Sequence, residues 1–116
     1  MNMTDFQLTV YKRAKPLDSL NKNLEHAVYG IMSEGGEIAD CIKKHVIYNK
    51  PLDTENLREE VGDILWYIAL LANSMEWNLE MIMAENNEKL EKRYPLGVYS
   101  NLQATARADK VGESNE

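Results

Sequence analysis

The chain has 116 residues, a formal net charge of −6, 44% hydrophobic residues and 28% charged residues. This length suits one domain around one core, in a composition typical of water-soluble globular proteins. The acidic balance argues against a broad nucleic-acid surface or an acidic-lipid surface. No apolar run approaches the ~18 residues of a membrane span, and the stretch from Met1 to Asp5 has no basic-then-apolar leader. The lone Cys41 excludes an intrachain disulfide and fits a reducing compartment, so the expected location is cytoplasmic.

The spacing predicts a first helix over 4–14, from Phe6, Leu8, Val10 and Tyr11, ending before Pro16. A long second helix is expected over 19–47, where Leu20, Leu24, Val28, Ile31, Ile38, Ile42 and Val46 recur at helical steps. Cys41 falls in this pattern as a small core residue. Tyr48 to Leu52 form a turn around Pro51, and Asp53 or Thr54 caps a third helix over 54–76. Asn78 is the expected cap of a fourth helix over 79–93, which stops at Tyr94-Pro95. Ser100 with Gln103 has the form of a capping box for a short last helix, and 110–116 form a polar, frayed tail after a single domain over 1–109. No segment alternates apolar and polar residues long enough for a strand. The expected fold is all-α: a four-helix-bundle-like core with short terminal helices.

Two acidic pairs carry the chemistry. Glu34-Gly35-Gly36-Glu37 lies in the second helix and Glu60-Val61-Gly62-Asp63 in the third. Spacing of i, i+3 puts both carboxylates of a pair on one face, where like charges repel. The plain alternative is two solvated faces. Against it, glycine inside a helix costs about 1 kcal/mol relative to alanine, and three glycines stand inside these motifs. Asp63 also interrupts the apolar run Val61, Ile64, Leu65, Trp66. The short turn after residue 47 makes the two helices antiparallel neighbours. Glu37 and Glu34 lie 10 and 13 residues before that turn, Glu60 and Asp63 lie 6 and 9 residues into the next helix. At ~1.5 Å per residue the pairs reach similar depth. Four carboxylates so placed make a hard oxygen site suited to Mg²⁺, with Mn²⁺ as a substitute.

Asn86, Lys89 and Arg93 follow at i, i+3, i+7 on the fourth helix. They form either a solvated face or a phosphate clamp, with Lys as point charge and Arg as bidentate fork. Lys43 and Lys44 follow the first acidic pair as possible helpers. Tyr67, one turn after Asp63, is the aromatic residue best placed to wall a site. The lone His26 and His45 do not complete a Glu-x-x-His motif, and no nucleophile triad, P-loop or dinucleotide glycine pattern is present.

Three strings, Gly30 to Asp40, Asn56 to Tyr67 and Asn86 to Pro95, resemble in order and spacing the MazG-like nucleoside triphosphate pyrophosphohydrolases of the all-α NTP pyrophosphatase superfamily. The resemblance covers about residues 24–96, and the stretch from Tyr99 to Arg107 looks like the short single-domain, phage-type members. For a phage-encoded chain the compartment is the host cytoplasm. The resemblance implies a homodimer or dimer of dimers and Mg²⁺-dependent cleavage of a nucleoside triphosphate between the α- and β-phosphates. It also implies Glu34, Glu37, Glu60 and Asp63 as metal ligands, with Glu34 or Glu37 serving the water, and Asn86, Lys89 and Arg93 near the phosphates; Lys44 and Tyr67 are expected at the substrate from their positions alone. Gly35 stands where many relatives carry a second acidic residue. A narrow, dUTPase-like enzyme and a catalytically silent interaction bundle are the alternative functions.

Overall fold

The structure, a computed structural model, describes residues 1–110; the expected tail over 110–116 lies outside the described residues apart from Lys110. Five helices follow in order: α1 (Met3–Arg13), α2 (Leu20–Val46), α3 (Thr54–Ser74), α4 (Leu79–Arg93) and α5 (Asn101–Ala106), then a 3-10 turn at Ala108–Lys110. The fold is all-α, with no strand among the described residues. Every expected helix is present, and the first four begin and end within two residues of the boundaries read from the sequence.

Local chemistry sets those boundaries. Side-chain oxygens of Asn2, Ser19, Asp53 and Ser100 accept the amide N–H three residues on, at 2.8, 3.1, 3.0 and 3.0 Å. Each such cap contributes about 1 kcal/mol. Of the two candidates at the start of α3, Asp53 is the cap. Asn78, expected to cap α4, donates its Nδ2 to Thr4 Oγ1 at 3.2 Å.

The chain groups into two compact units, Met1–Leu79 and Glu80–Glu116. In the first, α2 packs along α3 and α1 packs against α3. The α2–α3 pair is antiparallel: the Cys41 thiol donates to the Asp53 carbonyl at 3.5 Å, while about three helical turns deeper Gly30 meets Tyr67. Val10, Ala27, Cys41, Ala69, Leu70, Ala72 and Leu79 form the buried apolar core, so Cys41 is a core residue as its helical position implied. A buried Gln7 ties the ends of this unit together. Its Nε2 donates to Asn73 Oδ1 and the Trp77 carbonyl at 2.9 and 2.8 Å, and its Oε1 accepts the Leu79 N–H at 2.8 Å. That last bond satisfies an orphan donor at the start of α4.

The periodicity overstated the core. Val28, Ile42, Val61 and Leu65 carry it, yet all four are exposed, as are Tyr29 and Met32. On α2 the exposed positions 28, 32, 36, 42 and 46 form a continuous stripe. That face of α2 turns away from α3, and among the described residues its apolar side chains stand exposed.

In the second unit the chain leaves α4 through Tyr94, turns at Gly97 (φ 75°), and forms α5, which ends at Arg107 in the left-handed region (φ 49°). The rings of Tyr94 and Tyr99 lie 5.8 Å apart.

Candidate metal and phosphate site

Glu34 on α2 and Glu60 and Asp63 on α3 converge. One oxygen from each lies within 4.8 Å of the other two. Antiparallel packing produces this directly, because Glu34 sits one turn beyond Gly30, and Glu60 and Asp63 lie one to two turns before Tyr67. Glu34 and Glu60 are half-buried, while Asp63 is exposed, so the apolar run around Asp63 does not bury it. Glu37 lies outside this set of three and is exposed, but its charge still acts on Glu60.

Glu60 Oε2 is buried with no hydrogen-bond partner. The group beside it is another carboxyl, so a bond between them requires a proton on one of the two. Accordingly the Glu60 carboxyl is pushed up to about 7, first by a hydrogen bond with Glu34, then by burial, then by the charges of Glu34, Asp63 and Glu37. Such crowding is costly unless a cation or a proton joins the group. Two oxygens bound to one octahedral Mg²⁺ at ~2.1 Å stand roughly 3–4 Å apart. The 4.8 Å envelope and the orphaned oxygen therefore fit a small divalent ion, which Glu34, Glu60 and Asp63 would hold.

The neighbours of this cluster are fixed by packing. A Cβ on Gly30 would fall inside the Tyr67 ring, so only glycine lets α2 and α3 approach here. That ring stands edge-on to His26 at 5.8 Å and to Trp66 at 5.2 Å. By contrast, a Cβ on Gly35, Gly36 or Gly62 would meet nothing within 4 Å. The close approach of α3 to a glycine of α2 occurs at Gly30, one turn before Glu34. Lys44 is engaged by Asp40 at 2.9 Å, with Lys43 at 3.3 Å from the same carboxylate. These pairs hold Asp40 below its usual range and raise Lys44. A cavity of about 530 Å³ in this unit lies elsewhere, between Tyr11, Lys15, Asn23, Leu70 and Ser74, and none of the three carboxylates lines it.

On the second unit, Asn86 and Lys89 are exposed on α4. Among the described residues no carboxylate lies in ion-pair reach of the Lys89 ammonium. Arg93 is half-buried and bound side-on: its Nε donates to Asp109 Oδ1 at 3.0 Å and its Nη2 to Oδ2 at 3.3 Å. The pair raises Arg93 and holds Asp109 below the usual carboxylate range. Asp109 was not singled out by the sequence reading, since a lone acid near the chain end carries no local signal. Gly30 had one: an interior helix glycine four residues before Glu34.

Among known proteins, the profile of the MazG nucleotide pyrophosphohydrolase domain matches residues 22–98. The chain is similar to the Gene 37 protein of Mycobacterium phage L5, at 35% identity over 94 residues, covering 77% of this chain and 81% of that protein. It is also similar to the uncharacterized protein YvdC of Bacillus subtilis (strain 168), at 34% identity over 73 residues, covering 55% and 69% of the two chains. No solved structure matches it significantly.

Proposed function

From a chain that belongs to the MazG nucleotide pyrophosphohydrolase domain family, and is thereby a hydrolase acting on nucleotides, we propose a divalent-metal-dependent enzyme that cleaves nucleoside triphosphates between the α- and β-phosphates. The products are a nucleoside monophosphate and pyrophosphate. The observation that carries this reading is the convergence of Glu34, Glu60 and Asp63 around the unpartnered, buried Glu60 oxygen. Mg²⁺ is the proposed ion, since three carboxylates form a hard oxygen donor set. When bound there it would offset the charge of the phosphates and lower the pKa of coordinated water.

The protein's own groups divide the remaining work. Glu34, Glu60 and Asp63 would hold the ion and, by their mutual repulsion, disfavour the site without it. Glu37, exposed one turn from Glu34, is the proposed acceptor for the proton of the attacking water. In the reaction the water oxygen bonds to the α-phosphorus, the bond from that phosphorus to the bridging oxygen breaks, and pyrophosphate leaves with that oxygen. Asn86, Lys89 and Arg93 supply amide and cationic groups for phosphate oxygens. Lys44 and Tyr67 are proposed substrate neighbours, Lys44 exchanging Asp40 for a phosphate oxygen. The exposed stripe Val28, Met32, Ile42, Val46 on α2, with Val61 and Leu65 on α3, supports assembly as a homodimer or dimer of dimers, because such a stripe is buried in stable assemblies.

The test is a panel of canonical nucleoside and deoxynucleoside triphosphates incubated with the purified chain in Mg²⁺, in Mn²⁺ and in EDTA, with pyrophosphate detection. Release in either metal and none in EDTA supports the reading. A response confined to dUTP would assign the narrow alternative, and silence across the panel would assign the non-catalytic bundle.

A further inference from the structure

Asp109 is a carboxylate whose side chain is 0% exposed, and it lies sixteen residues beyond its partner on the other side of a turn and a helix. Nothing in the proposed chemistry uses it. Its place depends on an unusual backbone: Arg107 ends α5 at φ 49°, an uncommon conformation for a residue with a long side chain. The Lys110 N–H then closes on the Arg107 carbonyl at 2.8 Å, forming the 3-10 turn that carries Asp109. Arg107 Nε lies 3.8 Å from the same carboxylate, on a side chain 48% exposed, and so contributes charge more than geometry.

The Arg93 fork is the specific contact. Asp109 takes the Nε and Nη2 edge of the guanidinium, at 3.0 and 3.3 Å. A guanidinium has five N–H donors in one plane; Asp109 takes two, the Tyr94 side chain is a weaker second partner, and one donor on each Nη points along the outer edge. The Arg93 side chain is 17% exposed, so it is not sealed from solvent as Asp109 is. A long side chain normally loses rotamer freedom when it grips an anion. Here a buried, ionised carboxylate has fixed the plane beforehand.

We infer that Asp109 is a positioning residue: it holds the Arg93 guanidinium side-on so that its outer edge presents two parallel donors to a phosphate group. The inference rests on the reading of Arg93 as a phosphate ligand and adds that the chain segment after α5 sets its affinity. Asp109 itself touches no substrate.

The test uses inorganic pyrophosphate as probe, by calorimetric titration into the full chain in MgCl₂, with melting curves on the same samples. The variants are Arg93→Ala, Arg93→Lys, Asp109→Asn and the double change Arg93→Ala with Asp109→Asn. Asp109→Asn is expected to weaken pyrophosphate about tenfold, the scale of ordering one long side chain. In the Arg93→Ala background the same change should have no further effect, because Asp109 acts only through Arg93. Arg93→Lys keeps the charge, loses the fork, and should weaken binding about as much as Asp109→Asn; this arm holds even if Asp109→Asn fails to fold. Full binding by Arg93→Lys overturns the inference. So does a lower melting temperature in Asp109→Asn with unchanged pyrophosphate affinity, which is a purely structural role. Tighter binding by Asp109→Asn overturns it too, since it would make Asp109 a competitor of phosphate. Normal binding by Arg93→Ala is the separate result that removes Arg93 from the site, and the inference with it.

Discussion

Replacing Gly30 with alanine sets two effects of known size against each other. Alanine gains about 1 kcal/mol of helix propensity over glycine in a helix interior. The added Cβ, however, would fall among Tyr67 Cδ1, Cε1 and Cγ. The ring cannot swing aside at little cost, since His26 and Trp66 stand against it at 5.8 and 5.2 Å. Overpacking costs about 1–3 kcal/mol, and a methyl inside a ring belongs at the upper end. The net expectation is a loss of about 2 kcal/mol. Unfolding entropy of ~2.1 cal/mol/K per residue gives this chain ~0.24 kcal/mol/K, so the melting temperature should fall by about 8 °C. The assay is thermal unfolding by circular dichroism at fixed protein concentration, in EDTA. A second arm combines Gly30→Ala with Tyr67→Leu, which removes the ring's far half. There the alanine should cost far less than in the wild-type background, because the two sites share one contact. A Gly30→Ala protein that melts at or above the wild-type temperature would refute the packing described for α2 against α3, and with it the convergence of the carboxylates one turn away.

Glu34→Gln and Asp63→Asn are each expected to lower pyrophosphate release by at least ~10²-fold with helical content kept, since each removes a ligand charge at nearly constant shape; Glu59→Gln, exposed and about 100° around the helix, should be mild, and equal loss at Glu59 would show α3 to be wrongly faced. Addition of Mg²⁺ at a hundred times its dissociation constant should stabilise the fold by about 2.7 kcal/mol, or on the order of 11 °C by the same entropy, and identical melting curves in Mg²⁺ and EDTA would contradict a shared ion. Without metal, stability should depend on pH through Glu60. Its folded pKa of about 7 stands above the ordinary 4.5, so the fold favours the protonated form. That contribution is whole below pH 4.5 and is lost as pH rises through 7. In EDTA the melting temperature should therefore drop across that window, and Glu60→Gln should flatten the drop; a slope unchanged in Glu60→Gln would assign it to other groups.

Helix type and position were legible from the sequence because apolar spacing, prolines and capping side chains agree. Ser19, Asp53 and Ser100 each cap as local chemistry dictates. Meeting of the two acidic motifs was legible as well, since a short turn and the rise per residue fix the register of an antiparallel pair. Three things were not. Apolar spacing shows which residues share a face but not what covers it, so Val28, Ile42, Val61 and Leu65 read as core and stand exposed. A helical glycine announces a close approach without saying where, and Gly30 rather than Gly35, Gly36 or Gly62 has one. Asp109 pairs with Arg93 only after a turn, a helix and a left-handed residue, and no local rule sums those steps.

On the proposed reading, Glu34, Glu60 and Asp63 support metal-dependent cleavage between the α- and β-phosphates. Phosphorus NMR of a deoxynucleoside triphosphate incubated with the wild-type chain and with Glu60→Gln, each in MgCl₂ and in EDTA, tests it most directly. The wild type should give nucleoside monophosphate and pyrophosphate signals in Mg²⁺ and none in EDTA, and Glu60→Gln should be slower by at least ~10²-fold. Nucleoside diphosphate and orthophosphate as products, or equal turnover by Glu60→Gln, would contradict it.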